Sequence, residues 1–243
     1  MKTIAIMQPY FFPYIGYWQL IYAADRFVIL DDVNYITRGW VNRNRLLING
    51  QPTHITVPLQ HASSNKKICD TMLVSSTVWR DKLTRMVENT YRRTPHFDEA
   101  FPVIEQLIRH PSENLAEYLA CQLQTLSRFL GISTEFVVTS RIYGNDEMAA
   151  QERVLDICKR EGATKYINPQ GGQKLYYADA FSSAGIELRF IFMRPLTYKQ
   201  FSAGFTPNLS IIDVMMFNSR EKILADFLGS YDLGNAVCCI EAQ

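Results

Sequence analysis

The sequence predicts an α/β fold with a Rossmann-like, mainly parallel sheet flanked by helices, together with a β-hairpin and a helical insertion. Three observations support this prediction. Short apolar runs alternate along the chain with amphipathic helical patterns, which is typical of α/β proteins. The pair Asn49-Gly50 separates two β-rich segments within residues 46–59 and is a strong hairpin signal. Between residues 77 and 131, helical patterns follow one another without an intervening strand.

The N-terminal region predicts a strand–helix–strand unit. Residues 2–7 (KTIAIM) form a buried strand that stops at Gln8-Pro9, residues 14–24 have helical spacing, and residues 26–30 (RFVIL) form a second strand. In a parallel sheet, ligands bind at the carboxyl ends of the strands. We therefore expect the polar residues after both strands, 8–14 and 31–34, to lie at one edge of the sheet.

The later elements follow from the same two periodicities. Predicted helices cover residues 77–91, 102–108, 112–130, 148–161, 178–183 and 210–217. The pattern of the last helix is also compatible with a continuation through residue 228. Predicted strands cover residues 134–140, 165–168 and 186–192. Ser112 and Asn114 are candidate helix caps, and Gly131 and Gly162 are candidate stops. With no repeat and no linker, residues 1–243 are predicted to form a single domain with a helical sub-lobe at 77–131.

Composition and charge exclude several classes of partner. Twenty-five basic and 24 acidic residues leave a formal charge of +1, so no overall field attracts nucleic acid or an anionic membrane. No apolar run approaches the roughly 18 residues of a membrane span, and the N-terminus has no signal-peptide core. These features predict a cytoplasmic protein without membrane insertion. They leave a homodimer open.

Cofactor and nucleophile motifs are missing from the sequence. The five cysteines are scattered without a C-x-x-C pair and predict reduced thiols rather than a disulfide or zinc framework. The chain contains neither a P-loop nor G-x-G-x-x-G, so nucleotide binding through those motifs is not indicated. We predict no cofactor and no metal site. It also contains no G-x-S-x-G elbow, and covalent catalysis is not favoured.

Two parts of residues 31–45 have side chains suited to chemistry. Asp31-Asp32 follows a buried strand, where a carboxylate can bind a sugar hydroxyl, coordinate magnesium or accept a proton; a surface turn or helix cap is the alternative. RGWVNRNR at residues 38–45 has three guanidinium groups and two amides around Trp40, which suits a nucleotide diphosphate. The alternative for this run is an exposed basic strand leading into the hairpin.

Three further regions are candidates: residues 168–172, residues 208–213 and His54. Asn168 to Gly172 (NPQGG) permits close approach of the backbone to a ligand, although a plain tight turn is equally compatible. Asn208 and Ser210 precede an apolar helix, where they are also suited to capping it. Asp213 lies within that apolar run, which indicates a partnered buried carboxylate with either a structural or a catalytic role. His54 is the histidine nearest the polar clusters, although a single histidine is more often structural.

Four segments resemble those of WbqC-like proteins: IAIMQPYFFPYIGYWQLI (residues 4–21), FVILDDVNYITRGWVNRNR (27–45), YINPQGGQKLY (166–176) and FTPNLSIIDVMMFN (205–218). The resemblance implies a cytosolic role in modifying nucleotide-linked amino sugars for O-antigen and other bacterial surface polysaccharides. Some members of the family resemble enzymes that place an amino acid or another acyl group on the sugar amine.

The resemblance and the residues together predict an N-acyl (aminoacyl) transferase. The acceptor would be a dTDP- or UDP-linked amino sugar, and the donor a carrier-protein thioester or acyl-CoA. Asp31, Asp32 and His54 are the candidate catalytic residues, with Asp31 or Asp32 accepting the proton of the amine. The predicted substrate-binding residues are Gln8, Tyr10, Tyr14, Asn34, Arg38, Trp40, Asn42, Arg43, Asn44, Asn168, Gly171, Gly172, Lys174, Asn208, Ser210 and Asp213.

Within that set, Arg38 and Arg43 would hold the diphosphate, and Asn42, Asn44 or an amide near Gly171 would bind the oxyanion. The prediction places residues 8–14 and 31–44 on two rims of one site, with 168–174 and 208–213 closing over it. A nucleotidyltransferase with a Rossmann-like core and a non-catalytic sugar-nucleotide or carrier-protein binding module are the alternatives.

Overall fold

The computed structural model describes residues 1–201 and 204–235. In chain order, its strands are β1 (Thr3–Met7), β2 (Arg26–Ile29), β3 (Arg43–Ile48), β4 (Gln51–Thr56), β5 (Leu59–Gln60), β6 (Met72–Leu73), β7 (Glu135–Val137), β8 (Lys165–Pro169), β9 (Glu187–Met193) and β10 (Tyr231–Gly234). Its α-helices are α1 (Ile15–Tyr22), α2 (Val78–Tyr91), α3 (Phe97–Ile108), α4 (Leu115–Phe129), α5 (Ala150–Arg160), α6 (Ala178–Ser183), α7 (Ile211–Phe217) and α8 (Arg220–Lys222).

The central sheet has six strands in the order β10-β9-β8-β1-β2-β7. Every neighbouring pair is parallel except β9 and β10, which are antiparallel. Helices cover the sheet, and α2, α3 and α4 form the helical insertion between β6 and β7. The predicted fold class is therefore confirmed. Because five strands run in the same direction, the loops after β1, β2, β7, β8 and β9 all leave from one edge.

The hairpin β3–β4 forms where it is predicted. Its register runs from Arg43 opposite Thr56 to Ile48 opposite Gln51. Asn49 (φ 51°) and Gly50 (φ 74°) both have positive φ, as a two-residue type I′ turn requires. A smaller antiparallel pair, β5 and β6, follows.

Two apolar clusters lie on opposite faces of the sheet. Strand β1 shows the period of two: Ala5 belongs to the larger cluster, while Ile4 and Ile6 belong to the smaller one. The larger cluster also contains buried side chains from α1, α4 and α7, such as Trp18, and continues into α3. None of the helices in residues 1–201 and 204–235 is long and apolar enough to span a bilayer.

Several predicted boundaries are wrong. Helix α3 begins at Phe97, five residues before Pro102, which lies inside it. A proline there removes the hydrogen bond to the carbonyl of Asp98, and this loss is tolerable because Asp98 is exposed. The strand predicted for residues 134–140 is only β7, since Ser140 already starts a 3₁₀ turn, Ser140–Tyr143.

The helix that begins at residue 211 does not continue through residue 228. Asn218 is extended (φ −135°, ψ 141°), and its side-chain amide donates to the carbonyl of Val214 (2.9 Å). Ser219 then caps α8, which is followed by a π-helical turn, Ile223–Phe227. Strand β10 was not predicted, because a short, polar edge strand with one pairing partner has no distinct hydrophobic pattern.

Candidate functional site

The loop after β1, residues 8–14, is held in a fixed shape by buried polar side chains. Phe12 has a positive φ of 40°, which is unusual for a bulky residue. Its backbone N–H donates to Oε1 of Gln122 (2.6 Å), and its carbonyl accepts from Nδ2 of Asn44 and Oγ of Ser210, both at 2.8 Å. These bonds from three distant parts of the chain fix the loop.

The hairpin and the turn before it present a cationic and aromatic face to one side of this loop. Trp40 is 38% exposed and stacks on His54, with 6.1 Å between ring centroids. The guanidinium groups of Arg45 and Arg43 lie 5.6 and 5.9 Å from the Trp40 ring centroid. The backbone N–H of Phe11 donates to the carbonyl of Trp40 (3.1 Å) and so joins the two regions.

A cavity of about 360 Å³ lies between the loop and the hairpin, and we name it the Trp40 cavity. It is lined by Tyr10, Pro13, Tyr14, Trp40, Asn44, Arg45, Met193 and Asn208. Five of these residues (Tyr10, Tyr14, Trp40, Asn44 and Asn208) were predicted from the sequence. The fold therefore brings part of residues 8–14, part of residues 31–44 and Asn208 to one site.

Arg45 is the arginine of this cavity with hydrogen-bonding capacity to spare. Its Nε is buried and has no hydrogen-bond partner in the described part of the chain, while an Nη donates to the carbonyl of Asn208 at 3.3 Å. Arg43 instead donates from Nε to the carbonyl of Gly39 (3.0 Å) and from an Nη to that of Arg38. Arg43 thus stabilises the turn before the hairpin, and Arg45 can bind a ligand.

Arg45 and Met193 line the cavity but are not among the site residues predicted from the sequence. A signal for Arg45 was present in the sequence, because alternate residues of a strand share a face and Arg45 is two residues after Arg43. The register places His54 opposite Arg45. Met193 gave no such signal, since only the end of β9 brings it to this cavity.

The two tyrosines of the cavity are hydrogen-bond donors at neutral pH. Burial raises the pKa of Tyr10 and of Tyr14 above the usual value of 10.0, and for Tyr10 the neighbouring Tyr14 adds to the effect. Their hydroxyl groups therefore stay protonated. Both can donate to an oxygen atom that gains negative charge.

The Asp31-Asp32 pair lies in another part of the same sheet edge and is fully partnered. Asp31 is 1% exposed, and its carboxylate accepts from Oγ1 of Thr139 (2.9 Å) and from the backbone N–H of Ser140 (2.8 Å). Asp32 forms a buried ion pair with Arg153, and both side chains are almost inaccessible to water. Neither carboxylate lines the Trp40 cavity, although Asp31 borders another cavity, of about 360 Å³, beside α4.

Other predicted residues near the hairpin also lie outside the Trp40 cavity. Asn42 accepts from the Tyr35 hydroxyl (2.7 Å) and donates to the carbonyl of Val57 (2.9 Å), so its amide stabilises the loop. Asn34 and Arg38 are exposed, and Gln8 accepts through its backbone carbonyl from the Tyr17 hydroxyl (2.8 Å).

Residues 168–174 comprise the end of β8 and most of a 3₁₀ helix, Gln170–Leu175, and none of them lines the Trp40 cavity. Nδ2 of Asn168 donates to the Tyr166 hydroxyl (2.5 Å), and a Cβ on Gly172 would lie 2.1 Å from Oδ1 of Asn168. Gly172 is thus needed for internal packing. A Cβ added at Gly171 would have no other atom within 4 Å, and Lys174 is exposed.

Residues 208–213 are divided between the cavity and the core. Asn208 (φ 57°) lines the cavity, while Ser210 accepts from the backbone N–H of Ile212 and caps α7. Asp213 is fully buried and accepts from the hydroxyls of Tyr91 (2.9 Å) and Tyr198 (2.7 Å) and from Nε2 of Gln200 (3.0 Å). Burial raises the pKa of Asp213, and these hydrogen bonds oppose the shift.

The described cysteines are free thiols, and two of them are poor nucleophiles. Burial raises the pKa of Cys69 to about 11 and that of Cys158 to about 12, so little thiolate is present at neutral pH. Cys121 is partly exposed. Cys238 and Cys239 lie outside the described residues.

The chain is similar to known sequences over nearly its whole length. A model of the WbqC-like protein family matches residues 8–225. Uncharacterized protein Rv1507c of Mycobacterium tuberculosis is 32% identical over 223 residues, which cover 90% of this chain and 94% of that protein. No solved structure matches the chain at a significant level. The family match includes every residue that lines the Trp40 cavity, and the chain belongs to the WbqC-like protein family.

Proposed function

We propose that this protein transfers an acyl group to the amino group of a nucleotide-linked sugar that binds in the Trp40 cavity. The observation that supports it most directly is the unpartnered Nε of Arg45 beside the exposed face of Trp40. A guanidinium group suits a diphosphate, and an indole face suits a nucleobase or sugar ring. The family resemblance supplies the substrate class, a dTDP- or UDP-linked amino sugar of O-antigen or surface-polysaccharide biosynthesis.

The reaction needs no protein nucleophile. The neutral amine attacks the carbonyl carbon of a thioester, the new C–N bond forms, the C–S bond breaks, and the amine proton is transferred by way of a base to the departing sulfur. The donor would be an acyl-carrier protein or acyl-CoA. The buried, protonated thiols of Cys69 and Cys158 are consistent with direct transfer.

For two steps of this mechanism, the structure supports residues other than those predicted from the sequence. The residues Tyr10 and Tyr14, whose hydroxyls are protonated, line the cavity and can bind the oxyanion. Of the predicted oxyanion binders, Gly171 and Asn42 lie elsewhere, and the amide of the cavity residue Asn44 already donates to the carbonyls of Phe11 and Phe12. Among the three candidate catalytic residues, His54 stacks on the cavity residue Trp40, so we assign proton acceptance to His54 in place of the predicted Asp31 or Asp32. Asp31 and Asp32, whose carboxylates are already partnered, receive a structural role.

The test supplies purified protein with a dTDP-linked 4-amino sugar and either acyl-CoA or an acyl-loaded carrier protein, and detects the amide by mass spectrometry. We expect amide product from the wild type and a loss of about 10- to 100-fold in kcat/KM for Arg45→Met, the effect of removing a hydrogen-bonded charge. Arg38→Met is the matched control, because Arg38 is exposed and does not line the cavity.

Two other results would contradict the proposal. Tight binding of the sugar nucleotide without product from any donor would favour a non-catalytic binding module. Release of pyrophosphate in the presence of magnesium would favour a nucleotidyltransferase.

A further inference from the structure

A second cavity, of about 470 Å³, adjoins the Trp40 cavity, and we name it the Leu196 cavity. It lies between the end of β9, the start of α1 and the segment that leads to α7. Its walls include Ile15, Leu196, Phe205, Leu209 and Val214. Such a lining is that of an apolar binding site of ordinary size for a small ligand.

Two polar side chains that line the Leu196 cavity, Tyr198 and Arg194, are bonded to other residues of the protein. The hydroxyl of Tyr198 donates to Asp213 (2.7 Å), which leaves the ring to face Phe205 with 5.2 Å between centroids. The guanidinium group of Arg194 pairs with Asp232. The cavity therefore offers an occupant mainly hydrocarbon surface.

Met193 and Asn208 line both cavities and form the boundary between them. The position of Met193 depends on Gly16, because a Cβ at Gly16 would lie 2.2 Å from the sulfur of Met193 and 2.6 Å from the Tyr14 ring. Methionine is unbranched and flexible, so this boundary can adjust to a ligand that extends across it. One molecule can thus place an apolar chain in the Leu196 cavity and a polar group beside Asn208.

We propose that the Leu196 cavity binds the aliphatic acyl chain of the thioester donor, with the reacting carbonyl at Met193 and Asn208. This inference rests on the proposed acyl transfer to a sugar nucleotide in the Trp40 cavity. It also selects between donor classes: burying the ammonium group of an aminoacyl donor among Leu196, Phe205 and Val214 is unfavourable, whereas burying methylene groups is favourable.

The test measures binding of S-acyl-N-acetylcysteamine thioesters by calorimetry, because these donors contain no nucleotide that could occupy the Trp40 cavity. In a series from acetyl to octanoyl, affinity should rise about fourfold for each added methylene until the cavity is full. The glycyl thioester should bind more weakly than the butyryl thioester. Leu196→Trp and Thr197→Trp fill the cavity and should abolish octanoyl binding. Ile142→Trp, at a position that is 65% exposed and lines neither cavity, is the matched control.

Octanoyl binding that is equally tight in the wild type and both tryptophan variants would overturn the assignment, and so would a glycyl thioester that binds as tightly as the octanoyl one. If Leu196→Trp does not fold, Thr197→Trp, at an exposed position, decides the result. Binding of dTDP-sugar is measured separately. Its absence together with cavity-dependent octanoyl binding would refute the proposed function while leaving the apolar site in place.

Discussion

Two polar clusters at the same edge of the sheet differ in how completely their side chains are partnered. At the Asp31-Asp32 corner, the carboxylates accept hydrogen bonds from Thr139 and Ser140 and pair with Arg153. In the Trp40 cavity, Nε of Arg45 has no partner within the described residues, and the Trp40 ring is partly exposed. A buried polar atom without a partner is costly. The first cluster is satisfied within the protein, whereas Nε of Arg45 is not.

A dense group of polar residues at a strand end therefore does not by itself identify a binding site. Asp213 makes the same point in the core, where two tyrosine hydroxyls and an amide satisfy a buried carboxylate. What distinguishes the candidate ligand site is the combination of open space with a hydrogen-bond donor that has no partner within the described residues. Four predictions test this distinction, in order of decreasing effect.

The largest effect should follow from removing Arg153. Arg153→Met leaves the Asp32 carboxylate buried and unpaired, and we expect the free energy of unfolding to fall by about 3–5 kcal/mol. Urea denaturation near neutral pH measures it. The double variant Asp32→Asn, Arg153→Met should recover part of the loss, because it removes the unpaired charge. A loss below about 1 kcal/mol for Arg153→Met would mean that the corner is not a structural cluster.

The two hairpin arginines should give opposite results. Arg45→Met should weaken UDP or dTDP binding about 10- to 100-fold with little loss of stability, because Nε of Arg45 has no partner within the described residues and the bond from an Nη to the carbonyl of Asn208 is long (3.3 Å). Arg43→Met should reduce stability by about 1 kcal/mol through the lost hydrogen bonds to Gly39 and Arg38, with a smaller effect on binding. Calorimetry measures the loss of affinity in both variants, and urea denaturation measures the loss of stability. Equal losses of affinity in the two variants would contradict the prediction.

Asp213 should make stability depend on pH. Burial raises the pKa of Asp213 above 3.8 in the folded state. Its contribution to the free energy of unfolding is therefore fully present below the pKa of the unfolded state and is lost as pH rises through the pKa of the folded state. Relative to Asp213→Asn, the wild type should lose at most about 1.4 kcal/mol per pH unit within that window. Denaturation of both proteins between about pH 3 and pH 7 measures the difference. A flat difference for Asp213→Asn would contradict the prediction.

The smallest effect is expected for an exposed ion pair. Arg194 and Asp232 pair across β9 and β10 with more than half of each side chain accessible (56% and 62%). Arg194→Met should therefore change the free energy of unfolding by less than about 1 kcal/mol, since solvent screens such pairs. The measurement is the same urea denaturation as for Arg153→Met. A loss as large as that of the buried pair would show that pairing alone, without burial, determines the energy.

The sequence alone was sufficient for the local features of this protein. Hydrophobic periodicity located β1, α1 and β2, and Asn49-Gly50 located the hairpin, because each of these signals arises from neighbouring residues. The family was identified from contiguous segments, and the matched range 8–225 confirms it. The Trp40 cavity was partly predictable, since Tyr10 and Tyr14 directly follow the predicted strand β1 and Trp40 lies in the arginine-rich segment that leads into the predicted hairpin.

The tertiary structure decided which polar residues are free to act. Asp32 meets Arg153 across 121 residues, and the carbonyl of Phe12 meets Ser210 across 198, so no local pattern could show that these groups are satisfied. The same holds for Met193, which reaches the cavity only because β9 ends beside Gly16. Local sequence fixes which groups are present, but burial and long-range hydrogen bonds determine whether a group stabilises the fold or remains available to a ligand.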